Sequence, residues 1–450
     1  MALTVDEKTG LGVVPLFVNG QSLPVDSSRI FEVRSPVTDE PISLAHGANK
    51  EEAIRAADVA WETFKSWKGV TGASRRDIFL RASDLLQERG EAVAKLIMEE
   101  GSCMPEPAKY QVRFVVQMLR ELASRATTIQ GHTPKAQTPG VFALTIKQPI
   151  GPVLTITPWN AALLLAARAI ANPLIAGCTV VFKASELCPR VHHALVQVFH
   201  DAGVPPGAIN KIQCERSAAA EVTEALIAHH AIKKVEFIGS NPVGSIIGQL
   251  CGKYLKPIFM ELGGKSPAIV LEDADLPRAA GLIVRGAFFH HGQICFSTER
   301  VIVVEAVAEE FKRLLKVEAE KIPHAGTAAQ MRFAVHAEEL VAEAVSKGAK
   351  PLIGGPGFVS TAAARPTILT GVTKDMRICD EETFGPSCTL YVVKDADDAV
   401  KLANDSAYGL SAAIHTRDML RFIELASELE VGQVAMNSMT LFEECKFIFR

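Results

Sequence analysis

Cys295 lies in the run Phe289-His290-His291-Gly292-Gln293-Ile294-Cys295-Phe296-Ser297. Glu261 stands 34 positions earlier, in Glu261-Leu262-Gly263-Gly264-Lys265. A thiol after a small polar turn, matched with a distant carboxylate beside two glycines, suits covalent carbonyl chemistry. The thiolate attacks and the carboxylate moves a proton. A free thiol ionises near ~8.5, so this role needs a helix end or a positive charge to lower that value. Asn160 closes Thr157-Pro158-Trp159-Asn160, and an amide on a rigid turn can donate to a developing oxyanion. Taken singly, each residue has a plainer explanation: an inert thiol among nine, a solvated glutamate, an ordinary turn asparagine. His290 and His291 are adjacent, so they point in different directions. No third residue stands at metal-ligand spacing, and a metal or Cys–His pairing is set aside.

A second group of residues suits a nucleotide. Lys234-Val235-Glu236-Phe237-Ile238 leads into Gly239-Ser240-Asn241-Pro242-Val243-Gly244 and then a helical pattern. Glycines between a strand and a helix let backbone approach a pyrophosphate, and Ser240 can donate to it. The spacing is not the usual dinucleotide fingerprint and alone equally fits a tight turn. Thr179-Val180-Val181-Phe182 leads into Lys183-Ala184-Ser185-Glu186. Lys183 and Glu186 could bond the hydroxyls of an adenosine ribose. Glu186 would repel a 2′-phosphate, which favours NAD over NADP. Glu382, in Glu381-Glu382-Thr383-Phe384-Gly385-Pro386, is another carboxylate before a turn.

These residues need a large α/β frame. At 450 residues the chain exceeds one hydrophobic core, so two or more domains are expected. Residues 50–66 and 74–130 alternate charged and apolar positions at helical spacing, with Ile54, Ala57, Val59, Phe64, Ile78, Leu80, Leu85 and Leu86 on the apolar side. From about 150, short β-branched runs alternate with helices, which implies parallel sheets. The double glycine Gly263-Gly264 marks the passage between two such series. Net charge is −4, without the basic excess of a nucleic-acid binder. Nine cysteines without CxxC spacing argue for a reducing compartment. The apolar stretch 161–182 contains Arg168, Asn172 and Pro173, so it reads as helix, turn and strand rather than a membrane span. The N-terminus lacks a signal-peptide pattern, and a soluble cytoplasmic protein is expected.

Pro158-Trp159-Asn160, Lys183/Glu186, Gly239–Gly244, Glu261-Leu262-Gly263-Gly264-Lys265, Gly292-Gln293-Ile294-Cys295 and Glu382-Thr383-Phe384-Gly385-Pro386, in this order, resemble the aldehyde dehydrogenase superfamily. The resemblance runs from about 15 to about 437. Within the superfamily it is strongest to salicylaldehyde- and vanillin-type aromatic aldehyde dehydrogenases. The runs that carry this are Lys147-Gln148-Pro149-Ile150-Gly151-Pro152, Leu165-Ala166-Ala167-Arg168-Ala169-Ile170 and Gly292 to Arg300. Arg168, where many relatives carry tryptophan, would meet a ring hydroxyl or carboxylate of the substrate.

The resemblance implies an α/β fold with a Rossmann-like NAD-binding domain (1–124 and 144–262), a bridging arm (125–143) and an α/β catalytic domain (263–436). It implies NAD-dependent oxidation of an aldehyde to the acid through a cysteine thiohemiacetal and thioester. Cys295 is then the nucleophile, Glu261 the base, and Asn160 with the Cys295 N–H the oxyanion site. Trp159, Lys183, Glu186, Gly239, Ser240, Gly244, Leu262, Glu382 and Phe384 border the cofactor. The partners implied are a small aldehyde and further copies of the chain, as a homodimer or homotetramer. No metal, nucleic acid or membrane is expected.

Two segments depart from the family pattern. Residues 321–327 form a shortened loop. Residues 437–450 do not match the family's final strand, which crosses to another subunit. The reading therefore expects a truncated, divergent tail there and counts it against oligomerisation and activity. Two other readings stay open: an inactive or weakly active homologue, and a dehydrogenase for a pathway-specific aliphatic aldehyde.

Overall fold

The computed structural model describes residues 3–441. Two seven-stranded sheets form its centre. The first runs in the order Ile258–Glu261, Lys234–Ile238, Val153–Ile156, Val180–Lys183, Ile209–Ile212, Phe17–Val18, Gln21–Ser22. Its first five strands are parallel. Val153–Ile156 and Val180–Lys183 are buried throughout, as a parallel sheet covered on both faces requires. Helices Gly72–Glu88, Pro105–Arg125, Ala162–Ile175 and Pro189–Asp201 pack on one face. Helices Lys50–Trp67, Ala219–Ala228 and Asn241–Lys253 pack on the other.

The second sheet runs Lys350–Ile353, Thr367–Thr370, Ser387–Val393, Thr298–Val304, Ser266–Val270, Ser411–His415, Gln433–Met436. All its pairings are parallel except the first. Helices Leu276–Phe288 and Ala308–Glu320 cover one face, and Ala396–Asn404 with Met419–Glu428 the other. Gly263-Gly264 joins the last strand of the first series to the first strand of the second. A four-stranded sheet from residues 4–46 lies outside both.

The structure sets the bounds of several expected elements. The helical region 74–130 is three α-helices, Gly72–Glu88, Gly90–Gly101 and Pro105–Arg125, closed by a 3-10 turn at Ala126–Thr128. Leu80 is 39% exposed and faces away from the core. The arm expected at 125–143 lies largely within a longer stretch without helix or sheet strand. The helix holds as far as Arg125, and the open stretch is 129–150, with the single bridge His132↔Thr145. In that stretch Val141, Phe142, Leu144 and Ile146 are exposed.

The expected tail is packed at its start. Asn437 exchanges hydrogen bonds with the backbone of Thr416, and Thr440 bonds Thr298 and Ser411. The rest of the tail, 442–450, lies outside the described residues. No described helix is long and apolar enough to cross a membrane.

Candidate active site

The carboxyl end of the first sheet, at Glu261, meets the amino ends of second-sheet strands Ser266–Val270, Thr298–Val304 and Ser387–Val393 across Gly263-Gly264. Glu261 is the last residue of its strand and is buried. Cys295 is half-buried in the loop between helix Leu276–Phe288 and strand Thr298–Val304. Its Sγ lies 4.0 Å from Glu261 Oε1. The other oxygen of Glu261, Oε2, accepts from Arg168 Nη1 at 3.1 Å, so Arg168, projecting from helix Ala162–Ile175, reaches the carboxylate itself. Burial pushes the Cys295 thiol well above its ordinary range, and the carboxylates of Glu261 and Glu382 push it further. Arg168 opposes them.

The loop that carries Cys295 is held by two histidines in the left-handed region, His290 at φ 51° and His291 at φ 58°. Both are buried, and burial depresses their pKa values to about 4 and about 3, so both rings are neutral. His290 Nε2–H donates to the Asn160 carbonyl at 3.0 Å. His291 Nε2 accepts from the Ala364 N–H at 3.0 Å. Gln293 is fully buried. Its amide donates to the carbonyls of His290 and Thr327 and accepts from the Ala329 N–H. The Asn160 side chain donates to the Gln293 carbonyl at 3.0 Å. Asn160 is therefore tied to the nucleophile loop from both its backbone and its amide.

The Glu382 turn meets the same loop. Gly264 N–H donates to Glu382 Oε1 at 2.9 Å. The Glu382 carboxyl is pushed up to about 8, by burial first and then by Glu299. Glu299, buried in strand Thr298–Val304, accepts from the Thr383 N–H, the Thr383 hydroxyl and the Phe384 N–H, and pairs with buried Lys265. Glycines let the loops close up. A Cβ on Gly264 would lie 2.2 Å from the Cys295 carbonyl oxygen, and one on Gly292, at φ +69°, would lie 2.0 Å from the Gly385 oxygen.

The nucleotide-type residues line the adjacent edge of the first sheet. Lys183 ends strand Val180–Lys183, buried, with half-buried Glu186 on the loop after it. Exposed Ser240 caps helix Asn241–Lys253 by position, yet its side chain makes no capping bond. The first-turn N–H groups of that helix thus keep their capacity for an anion. Gly244 seats the helix against Leu262, whose Cδ2 would lie 2.6 Å from any added Cβ. Gly239 N–H donates to the Glu261 carbonyl, and Asn241 accepts from the Gly263 N–H. Trp159 stacks on Phe333 at 4.8 Å and meets Phe384 edge-on at 5.9 Å. An uncapped helix start, a lysine and a carboxylate at one strand end, and an aromatic pair together fit a dinucleotide.

All thirteen residues singled out in the sequence lie along this one seam. His290, Gln293, Glu299, Lys265 and Phe333 were not singled out. Glu299 had a signal: a carboxylate inside the apolar run Thr298-Glu299-Arg300-Val301-Ile302-Val303-Val304. Gln293 stood inside a quoted motif. His290 was set aside with His291 for want of a metal, and its hydrogen bond spans 130 positions.

Two open parallel sheets meeting across a thiol and a carboxylate are the frame of a two-domain α/β oxidoreductase. The chain belongs to the aldehyde dehydrogenase family, whose model matches residues 24–449 and so continues past 437, where the resemblance was expected to stop. It is 40% identical over 445 residues to a vanillin dehydrogenase from Pseudomonas fluorescens, covering 97% of this chain and 92% of the relative. The crystal structure of a salicylaldehyde dehydrogenase from Pseudomonas putida G7 complexed with salicylaldehyde superposes with a TM-score of 0.93 at 37% identity. That match covers 96% of this chain and 91% of the other. A betaine aldehyde dehydrogenase from Staphylococcus aureus, solved in complex with NAD+, superposes with a TM-score of 0.90 at 27% identity, covering 96% and 87%. The protein is an oxidoreductase acting on aldehydes with a nicotinamide dinucleotide cofactor.

Proposed function

We propose that the protein oxidises an aromatic aldehyde, one bearing a ring hydroxyl, to the carboxylic acid with NAD. The observation that carries this is the buried Arg168–Glu261 pair beside Cys295. It sets a guanidinium, rather than an apolar wall, at the place where the aldehyde must lie. A phenolic or phenolate oxygen beside the carbonyl gives that guanidinium a partner, and an aliphatic chain does not.

The steps follow from the side chains. Glu261 takes the Cys295 proton and the thiolate attacks the aldehyde carbon. The oxyanion accepts from the Asn160 amide and the Cys295 N–H. To serve there, Asn160 exchanges its bond to the Gln293 carbonyl for one to the substrate. When bound, the nicotinamide supplies the hydride acceptor. Glu261 gives the thiol proton up to solvent, and the thioester is then cleaved by water, whose proton goes to the freed Glu261 carboxylate while sulfur leaves as thiolate. Lys183 and Glu186 would hold the adenosine ribose, Ser240 with the helix start the pyrophosphate, and Glu382 the nicotinamide ribose beside Phe384. Glu186 supports NAD over NADP by repelling a 2′-phosphate. The exposed apolar stretch 129–150 supports self-association.

The test is NADH formation with salicylaldehyde, vanillin, benzaldehyde and hexanal. Hydroxylated aromatic aldehydes should give the highest kcat/KM, and Cys295→Ala should give none. Arg168→Met should lower kcat/KM for salicylaldehyde relative to benzaldehyde by about tenfold, in line with one hydrogen bond to a charged group. A preference for hexanal overturns the substrate reading.

A further inference from the structure

Behind Glu261, on the side of the sheet that faces helix Ala162–Ile175, lies a second carboxylate that the reaction as described leaves unused. Glu236 sits in the middle of strand Lys234–Ile238. Its neighbours Val235 and Phe237 point into the core on the opposite face, while Ile238 belongs to the core packed by that helix. Glu236 therefore shares the helix-facing side with Ile238. In the ladder Ile238 pairs with Glu261, and Glu236 pairs with Phe259 two residues below it. The two carboxylates thus stand on one face of adjacent strands, one diagonal step apart, about 7–8 Å by sheet geometry. The Arg168–Glu261 ion pair closes the same space from the helix.

The lining continues on the other neighbouring strand. Thr155 lies directly opposite Glu236, and Thr157 follows two residues on. Both hydroxyls are buried, and neither bonds a protein group among the described residues. Buried hydroxyls without a protein partner are satisfied by water, and the second carboxylate gives such water a further acceptor. Glu261 is buried, whereas Glu236 is only half-buried and reaches toward solvent.

We propose that Glu236 is the proton exit for Glu261. The proton that Glu261 takes from the attacking water passes across the one diagonal step to Glu236, and from there, through water that the Thr155 and Thr157 hydroxyls hold on the far side of Glu236, to solvent. The balance is simple. Water loses one proton to Glu261 as its oxygen bonds the thioester carbon and sulfur departs. Glu261 then returns to the carboxylate as Glu236 accepts that proton and releases it. The charged groups around Glu236 are Lys234 on its own strand, Arg168 from the helix and Glu261 from the next strand. Burial, the largest influence, lifts the Glu236 carboxyl to about 7, where it can both take and release a proton near neutrality. Glu236 acts through Glu261 and touches no substrate, so it is a positioning residue for the proton.

The inference rests on the aldehyde-oxidising reading, and the experiment separates the two. The full chain is assayed with salicylaldehyde and NAD, reading the first-turnover rate of NADH formation, steady-state kcat, KM and the kcat–pH profile in H2O and D2O. In Glu236→Gln, first-turnover rate and KM should stay within about twofold, while kcat falls about tenfold and the solvent isotope effect rises. The limb of the parent profile near pH 7 should disappear. Glu236→Asp should restore both kcat and the limb. Thr155→Val, which leaves every charge in place, should shift kcat in the same direction as Glu236→Gln. Parent-like kcat and pH limb in Glu236→Gln and Thr155→Val overturn the proton exit. So does a first-turnover rate that falls in step with kcat. No NADH from the parent overturns the oxidation itself, and the proton exit with it.

Discussion

Cys295 is raised, not lowered, by its surroundings, and Glu261 is the largest charge responsible. The resting thiol therefore holds its proton, and in the proposed mechanism the same carboxylate that opposes ionisation removes that proton when the aldehyde arrives. This gives Glu261→Gln two effects of opposite sign. Turnover should fall by at least about 100-fold, as general-base removal does. Alkylation of Cys295 at pH 8 should become faster, because a neutral amide no longer holds the thiol pKa up. Mass-spectrometric mapping of iodoacetamide adducts against pH reads the second effect. A slower alkylation than in the parent would contradict this electrostatic account. At this scale Cys295, Glu261 and Asn160 were legible in the sequence as candidates, because each sits in its own short motif. The Arg168–Glu261 contact was not, since 93 positions separate the partners and only the fold brings them together.

The elements that hold these residues are fastened by groups that carry no motif of their own. Glu299 ties the Glu382-Thr383-Phe384 turn to the strand that follows Cys295, with Lys265 as its counter-charge. Both partners are almost completely buried. Removing one strands the other, at a cost of about 3–5 kcal/mol. Glu299→Ala should therefore unfold at clearly lower urea concentration, and its surviving folded fraction should show a raised KM for NAD because the turn loses three donors' anchor. Unchanged urea midpoint and KM would remove Glu299 from this role. Strand and helix order was legible from residue 150 onward, where β-branched runs alternate with amphipathic stretches. The left-handed pair His290-His291 was not. Positive φ is uncommon for any residue but glycine, and histidine, though enriched there with asparagine and aspartate, far more often lies elsewhere, so two histidines gave no firm local sign of the turn they make.

Across the whole molecule, buried ionisable groups set a window of stability. His192, His193, His290, His291 and His415 are pushed down to between about 3 and about 4 by burial, against an ordinary value of 6.5. Below pH 6.5 the unfolded chain takes up protons that the folded chain refuses, so stability is lost as the pH falls. Glu100 and Glu236 are raised to about 7 and Glu382 to about 8, and their contribution has the opposite sense. It is present at low pH and lost as pH rises through those values. Five histidines outweigh three carboxyls on the acid side. The urea midpoint should therefore fall from pH 6.5 to pH 5, and fall from pH 6.5 to about pH 8 as the three carboxyls ionise. A midpoint that rises toward pH 5 would refute the histidine account. Assembly is a separate matter of surface. Phe142 is 78% exposed on the 129–150 stretch. If that stretch joins copies, Phe142→Asp should lower the sedimenting mass without moving the urea midpoint at low protein concentration.

Gly264 bears on how the two sheets work together. Its hydrogen faces the carbonyl of Cys295 where no carbon would fit, so at this point the first series of strands touches the nucleophile loop with nothing compressible in between. Side chains cushion most contacts, because rotamers absorb small displacements. Bare backbone against bare backbone does not. A shift of Gly264 would therefore press on the backbone of Cys295 itself, with room at this seam for a hydrogen atom and not for a methyl group.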